Sequence, residues 1–167
     1  HFVVDIDIKG FFDNVQHGKL LKQLWQMGIR DKTLLSILSA MLKAEVAEIG
    51  FPERGTPQGG IISPLLANVV LNELDWWIAS QWETMPTRHP YAVTIAPNGT
   101  ESRGKAYRAL QSTQLKECWI VRYADDFKIF CRKRSDAVKL FAATQQWLKA
   151  RLGLDISPEK SGIVNLK

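Results

Sequence analysis

The sequence predicts an α+β fold with helices packed on one face of an antiparallel sheet. Three observations point to it: an alternating strand at the start of the chain, several amphipathic helical stretches, and two late β-rich runs around a tight turn. Strands, helices and a hairpin alternate along the chain, and helices laid against an antiparallel sheet is the architecture that matches. No internal repeat is present.

Phe2 to Ile8 opens the chain. Phe2, Val4, Ile6 and Ile8 point one way and Val3, Asp5 and Asp7 the other, which is a half-buried strand carrying acids on its open face. Lys19 to Met27 reads as a helix, with Leu20, Leu21, Leu24 and Trp25 on one stripe and Gly28 as its stop. Asp31 is placed to cap a second helix whose apolar positions are Leu34, Leu35, Leu38, Met41 and Leu42. Glu45 to Phe51 reads as extended. Gly55-Thr56-Pro57-Gln58-Gly59-Gly60 follows, a loop rich in residues that permit unusual backbone angles. Ser63-Pro64 then opens a helix, with Ser63 as cap and Pro64 at the first helical position. It should run to about Trp82, turning Leu66, Val69, Val70, Leu74, Trp77 and Ile78 inward.

Thr84 to Ser112 is polar and broken by Pro86, Pro90, Pro97, Gly99 and Gly104, so it reads as an excursion from the core. Trp119 to Tyr123 and Phe127 to Arg132 then flank Ala124-Asp125-Asp126, a hairpin spacing. Ser135 is placed to cap a helix through Leu152, stopped by Gly153. Ser157-Pro158 starts a turn, and Ile163 to Leu166 reads as a closing strand.

Composition narrows the class. The 167 residues suit one domain, and 46% hydrophobic with 23% charged is globular composition, enough to bury a core without staples. A membrane span needs about 18 uninterrupted apolar residues, which no stretch approaches. Six Trp and seven Phe carry too much apolar surface for a disordered chain. The two cysteines, Cys118 and Cys131, cannot build a disulfide framework or a four-ligand zinc site. They read as buried thiols, with a reducing compartment as the default. The chain starts at His1 with neither Met nor a leader, directly in a strand-like run, so it is expected to be a piece of something longer. Oligomeric state is not legible.

The net charge of +5 is unevenly placed. Between Pro86 and Lys116 stand Arg88, Arg103, Lys105, Arg108 and Lys116 against Glu101 alone. Such clustering fits a polyanionic partner, of which nucleic acid is the commonest, and equally fits a solvated basic loop.

Asp125-Asp126 at a tight turn is unusual, because such turns favour glycine or asparagine and adjacent carboxylates repel. A cation shared with a third acid would account for it, and Asp7, at the end of the first strand, is available. Magnesium takes oxygen ligands and is held by one or two carboxylates plus substrate phosphates. Two such ions about 3.5–4 Å apart clamp the attacking and leaving oxygens of a phosphoryl transfer. Each acid alone also fits a plain turn or strand end.

Tyr123-Ala124-Asp125-Asp126 matches the YxDD box of reverse transcriptases. Asp7-Ile8-Lys9-Gly10-Phe11-Phe12-Asp13 resembles the first acidic motif of the group II intron-encoded members. Gly55 to Asn68, with Gly55-Thr56-Pro57-Gln58-Gly59-Gly60 at its head, is similar to their loop-and-helix motif. Ser157-Pro158-Glu159-Lys160 resembles a downstream lysine motif. The four lie in the family's order, and the resemblance spans Asp7 to Asn165, with the basic excursion the least typical part.

That resemblance implies a right-hand polymerase palm, in which helices pack on one face of an antiparallel sheet bearing a catalytic hairpin, plus part of the fingers. Residues 1–167 would form a single domain fragment with an excursion at about 83–116, lacking upstream fingers and a downstream thumb. It implies Asp7 and Asp125 as the main ligands of two magnesium ions (manganese being possible), Asp126 as a weaker third, and the backbone carbonyl of Ile8 at the second ion. Phe12 resembles the gate packing under the sugar, with Phe11 competing for that place. Gln58 and Gly59 would lie against the incoming nucleotide and template base. Lys160 resembles the lysine that neutralises departing pyrophosphate, and is equally a surface lysine. Asp13 matches the motif, where a turn or cap role fits better. The basic set Arg103, Lys105, Arg108 and Lys116 could touch phosphates of a template–primer duplex or of folded RNA. The implied activity is RNA-directed DNA polymerisation, adding dNTPs to a DNA primer on an RNA template, with intron RNA as a further partner in splicing and no membrane. A retron, a diversity-generating or defence-associated reverse transcriptase, or a non-catalytic RNA-binding splicing factor are the alternatives.

Overall fold

The computed structural model describes residues 1–45, 50–56 and 60–166. Four antiparallel strands make the main sheet: β1 (Phe2–Asp7), β4 (Cys118–Tyr123), β5 (Asp126–Cys131) and β6 (Gly162–Asn165), in the order β4-β5-β1-β6. The predicted α+β class and antiparallel sheet are what is found. β1 alternates as expected from Val4 on, with Val4 and Ile6 fully buried and Asp5 and Asp7 on the other face; Val3, expected on that open face, is buried too. Its register sets Val4 opposite Ile129, Asp5 opposite Lys128 and Asp7 opposite Asp126.

The helices α2 (His17–Gln26), α3 (Lys32–Leu42), α4 (Ser63–Gln81) and α6 (Arg134–Trp147) supply the rest of the core. Leu71, Leu74 and Ile78 of α4 and Ala137 of α6 share a cluster with Ile6, Phe127 and Ile129 of the sheet. Trp77 and Trp147 stack at 5.1 Å and tie α4 to α6. Burying a Leu, Ile or Phe side chain contributes about 1.5–3 kcal/mol, and nearly all of it falls on this one face. The opposite face stays open, with Val121 and Tyr123 exposed beside the acids.

Asp31 caps α3 as expected, its carboxylate accepting from the amides of Thr33 and Leu34 at 2.8 and 3.1 Å. Two other expected caps are corrected. Ser63 is the first residue of α4, not its cap; Ile62 precedes it, and the Ser63 amide closes a turn on the Gly60 carbonyl at 3.0 Å. Ser135 likewise lies inside α6, which begins at Arg134 after extended Lys133. Ser63 heads α4 and Ser135 is the second residue of α6, so neither stands at the cap position. The helix through Leu152 ends in a π-helical turn, Leu148–Leu152, stopped by Gly153 at φ 72°.

The excursion carries more structure than its composition suggests. It holds a two-stranded ribbon, β2 (Thr94–Ile95) with β3 (Glu101–Ser102), and the helix α5 (Gly104–Gln111). Gly99, at φ 79°, helps turn the ribbon. α5 is fixed by buried Leu110 and by Tyr107, whose ring stacks with Trp82 and meets Trp119 edge-on. Most of the stretch expected to be extended, 45–51, lies outside the described residues.

Candidate active site

The loop after α6 holds the backbone around Asp7. The Asp7 amide donates to Ser161 Oγ at 3.1 Å, and its carbonyl accepts from the Ser157 amide at 2.9 Å. One step on, Ile8 bridges Ile156, and the Lys9 amide donates to the Asp155 carbonyl at 2.9 Å. The segment carrying Lys160 is thereby brought to the end of β1, although more than 140 residues separate them in the chain.

On the other side of β1 stands the hairpin. Its turn is Ala124–Asp125, so Asp126 is not at the tip, as the sequence pattern suggested, but opens β5 opposite Tyr123. The positive φ that such a turn needs falls on Ala124, at 55°. A residue with a Cβ pays roughly 1–3 kcal/mol there, so surrounding structure has to hold it. Arg122 is the holder. It donates to the Ala124 carbonyl at 2.8 Å, to Asn68 Oδ1 at 2.7 Å, and to both Asp75 carboxylate oxygens at 2.8 and 2.6 Å. The turn is thus pinned to α4, and Asp125 with it.

Asp7, Asp125, Phe12 and Lys160 line one open cleft of about 390 Å³, with Ile8, Lys9, Asp13 and Glu159 also in its wall. Asp126 is engaged elsewhere. Its Oδ1 accepts from Lys128 Nζ at 3.2 Å, and the same ammonium donates to Asp5 Oδ1 at 2.9 Å. The hydrogen bond to Asp5 is the main reason the Lys128 ammonium is held above its ordinary pKa; burial pulls the other way and Asp126 adds to the rise. This cation relieves the repulsion that four acids at one strand end would otherwise suffer.

Oxygen donors alone suit magnesium or manganese, which need only one or two carboxylates where phosphates complete the shell. Asp7 and Asp125 are such a pair on one cleft. Among the described residues no three acidic, histidine or cysteine side chains are gathered to hold an ion, in keeping with Asp126 resting on Lys128.

Phe11 and Phe12 have parted roles. Phe11 is buried in the core, whereas Phe12 is half-buried on the short helix α1 (Phe11–Asn14), their rings meeting edge-on at 5.4 Å. Gln58 and Gly59 lie outside the described residues. Arg103, Lys105 and Arg108 are exposed and Lys116 is half-buried. None of the four is among the residues lining the cleft. The structure therefore does not bring them to the cleft. Cys118 and Cys131 are free, buried and directly opposite each other, as the sequence led us to expect of the thiols.

Arg122 and Lys128 escape a sequence reading. Each is one cation in a β-rich run; only the packing of α4 on β4 reveals that Arg122 faces Asp75, and only the register of β1 with β5 that Lys128 faces Asp5. An arginine at an inward position of an alternating strand was the available signal for the first.

A sheet with acids at one hairpin end, helices on a single face and an open face opposite is the arrangement of a right-hand polymerase palm. All of residues 1–167 match the reverse transcriptase (RNA-dependent DNA polymerase) family, and the chain belongs to it. It is 31% identical to the group II intron-encoded protein LtrA of Lactococcus lactis subsp. cremoris, over 92% of this chain and 29% of that protein. It is 29% identical to protein YkfC of Escherichia coli (strain K12), over 92% of this chain and 42% of that one. The chain thus spans less than half the length of these relatives. Among solved structures, apo telomerase from Candida tropicalis, truncated of its C-terminal domain, superposes with TM-score 0.61 over 99% of this chain and 31% of that one. At 11% identity that likeness shows the fold alone. No helix among the described residues is long and apolar enough to cross a membrane.

Proposed function

We propose that this chain is the palm, with part of the fingers, of a group II intron-type reverse transcriptase that adds deoxynucleotides to a DNA primer on an RNA template. The observation that carries the reading is the meeting of Asp7, from the first strand, with Asp125, from a hairpin more than a hundred residues later, on one cleft. Family membership and the similarity to LtrA support it.

Asp7 and Asp125 would hold magnesium or manganese, with Asp126 joining on release from Lys128 and the Ile8 carbonyl nearby. When bound, the two ions would activate the primer hydroxyl and neutralise charge on the transferring phosphate. The chain's own residues orient and exclude. Arg122 fixes the turn that aims Asp125, and the Ser157 and Ser161 hydrogen bonds fix Asp7. Phe12 presents an apolar ring where the nucleotide sugar would pack, and Gln58 and Gly59 would lie along the nucleotide and template base. Lys160 would place its charge against departing pyrophosphate. Preorganised charge and positioning would supply most of the rate. The basic set at 103–116, outside the cleft, suits phosphates of the duplex or of intron RNA, whose folding and splicing the complete protein would assist. Such activities would suit a bacterial cytoplasm or organelle matrix.

The test is Asp125→Asn in the complete protein. Primer extension should fall by about two to three orders of magnitude, and manganese binding should weaken alongside it. Extension at near-native rate would overturn the reading. Native RNA binding with neither extension nor metal binding in the unmutated protein would favour a splicing factor without polymerase activity.

A further inference from the structure

A four-residue helix cannot hold itself, because one turn yields too few hydrogen bonds for the backbone it orders. α1 is such a helix, entered through Gly10 at φ 53°, and it carries Phe12 into the cleft. Its support comes from another part of the chain. The Thr56 amide donates to the Phe12 carbonyl at 2.7 Å, the Gly55 amide donates to the Val15 carbonyl at 2.7 Å, and Gln16 bridges Arg54. Residues 54–56 therefore run along the backbone of α1 and its exit. The approach is close enough to require glycine: Gly55 has φ 97°, and a Cβ there would come within 3.2 Å of the Phe12 and Asp13 carbonyls.

The other side of this segment is gripped by His17, the first residue of α2 and only 4% exposed. Its Nε2 lies 2.7 Å from the Gly55 carbonyl. A carbonyl can only accept, so Nε2 must be the donor, which sets the ring's tautomer. The segment is thus held between His17 and α1, with its amides on one partner and its carbonyl on the other.

We propose that His17 is a positioning residue for Phe12: by holding Gly55–Thr56 against α1, it determines where the Phe12 ring stands in the cleft, and so how well the site rejects a ribonucleotide. The inference rests on the reading of Phe12 as the residue against the sugar. His17 itself touches no substrate; it acts through two backbone hydrogen bonds.

The experiment compares deoxynucleotide with ribonucleotide incorporation in the complete protein, as a ratio of kcat/KM values. His17→Phe keeps a flat aromatic ring and removes the donor, and should lower the ratio by about tenfold, the factor one hydrogen bond is worth. His17→Gln keeps an amide donor and should restore the native ratio, which a merely space-filling role would not predict. Gly55→Ala leaves His17 in place but strains the segment at φ 97° and presses it against the α1 carbonyls, and should lower the ratio in the same way; if His17→Phe does not fold, an unchanged ratio in folded Gly55→Ala overturns the inference. Phe12→Ala is the reference and should lower the ratio most. If Phe12→Ala lowers it while a folded His17→Phe leaves it unchanged, the role of His17 is overturned and that of Phe12 survives. If Phe12→Ala also leaves it unchanged, the reading of Phe12 falls and this inference with it.

Discussion

The acidic end of the sheet and the basic excursion at 83–116 handle charge in opposite ways. At the acidic end, Asp7 and Asp126 stand on strands whose next residues inward, Ile6 and Phe127, are fully buried, and Asp125 stands on a turn pinned by Arg122. Each acid is therefore placed by the core. In the excursion, both strands of the β2–β3 ribbon are exposed, and α5 is tied down by little more than Leu110 and Tyr107. Arg103, Lys105 and Arg108 reach into solvent from that scaffold. Charges that must share a small ion need fixed geometry, whereas charges that meet a polyanion's diffuse field do not. The fold concentrates its rigidity on the acids, as the ion sharing proposed for them would require.

The sharpest way to break this contrast is to remove one apolar side chain from each region. Phe127→Ala should cost about 3–5 kcal/mol, read as a lower denaturant midpoint, since the ring is fully buried behind Asp126. Ile95→Ala in the exposed ribbon should stay within about 0.5 kcal/mol. Equal costs would mean the excursion belongs to the core. Arg122→Met comes next: it strips the Ala124 carbonyl and the partly exposed Asp75 of their partner, and should cost about 1–3 kcal/mol while slowing primer extension. Loss of stability without loss of rate would show that the turn aims Asp125 unaided.

A smaller effect tests the core beneath the hairpin through pH. Burial pushes the Cys118 thiol up to about 12 and the Cys131 thiol up to about 11, from an ordinary value of 9.0. Above pH 9 the unfolded chain gives up protons that the folded chain keeps. The stability these thiols contribute is therefore whole below that pH and is lost as pH rises toward the folded values. Melting temperature should fall across this alkaline window, and the Cys118→Ala, Cys131→Ala double variant should lose that part of the fall. The smallest stability change belongs to the excursion: replacing Arg103, Lys105, Arg108 and Lys116 by Ala should leave unfolding within about 0.5 kcal/mol of native. RNA binding should nevertheless weaken, its salt dependence becoming shallower by about 0.7–0.9 for each phosphate that the variant no longer neutralises. An unchanged salt slope would remove these residues from the nucleic-acid surface.

Much of the architecture was legible because it depends on local pattern. Alternation in Phe2–Asp7 exposed both the strand and its acid face, helical periodicity located α2 to α4 and α6, and Asp31 announced its own helix. Cap signals were misplaced at Ser63 and Ser135, which lie inside their helices, because a serine followed by helix formers marks a start only to within a residue or two. The hairpin was found but its turn was displaced by one residue, since positive φ at Ala124 runs against local preference and is maintained by Arg122. Short elements inside the excursion were missed because two-residue strands have no period to read.

By itself, then, the order of residues determined the class of fold, through its periodicities, and the family, through motifs that resemble it, because both are local to the chain. Which charges neutralise which was decided only in three dimensions. Lys128 on Asp5, Arg122 on Asp75, and His17 on Gly55 join residues far apart in sequence. A hydrogen bond depends on a separation of about 3 Å in space, and a linear pattern carries no such distance until strand register and helix packing supply it.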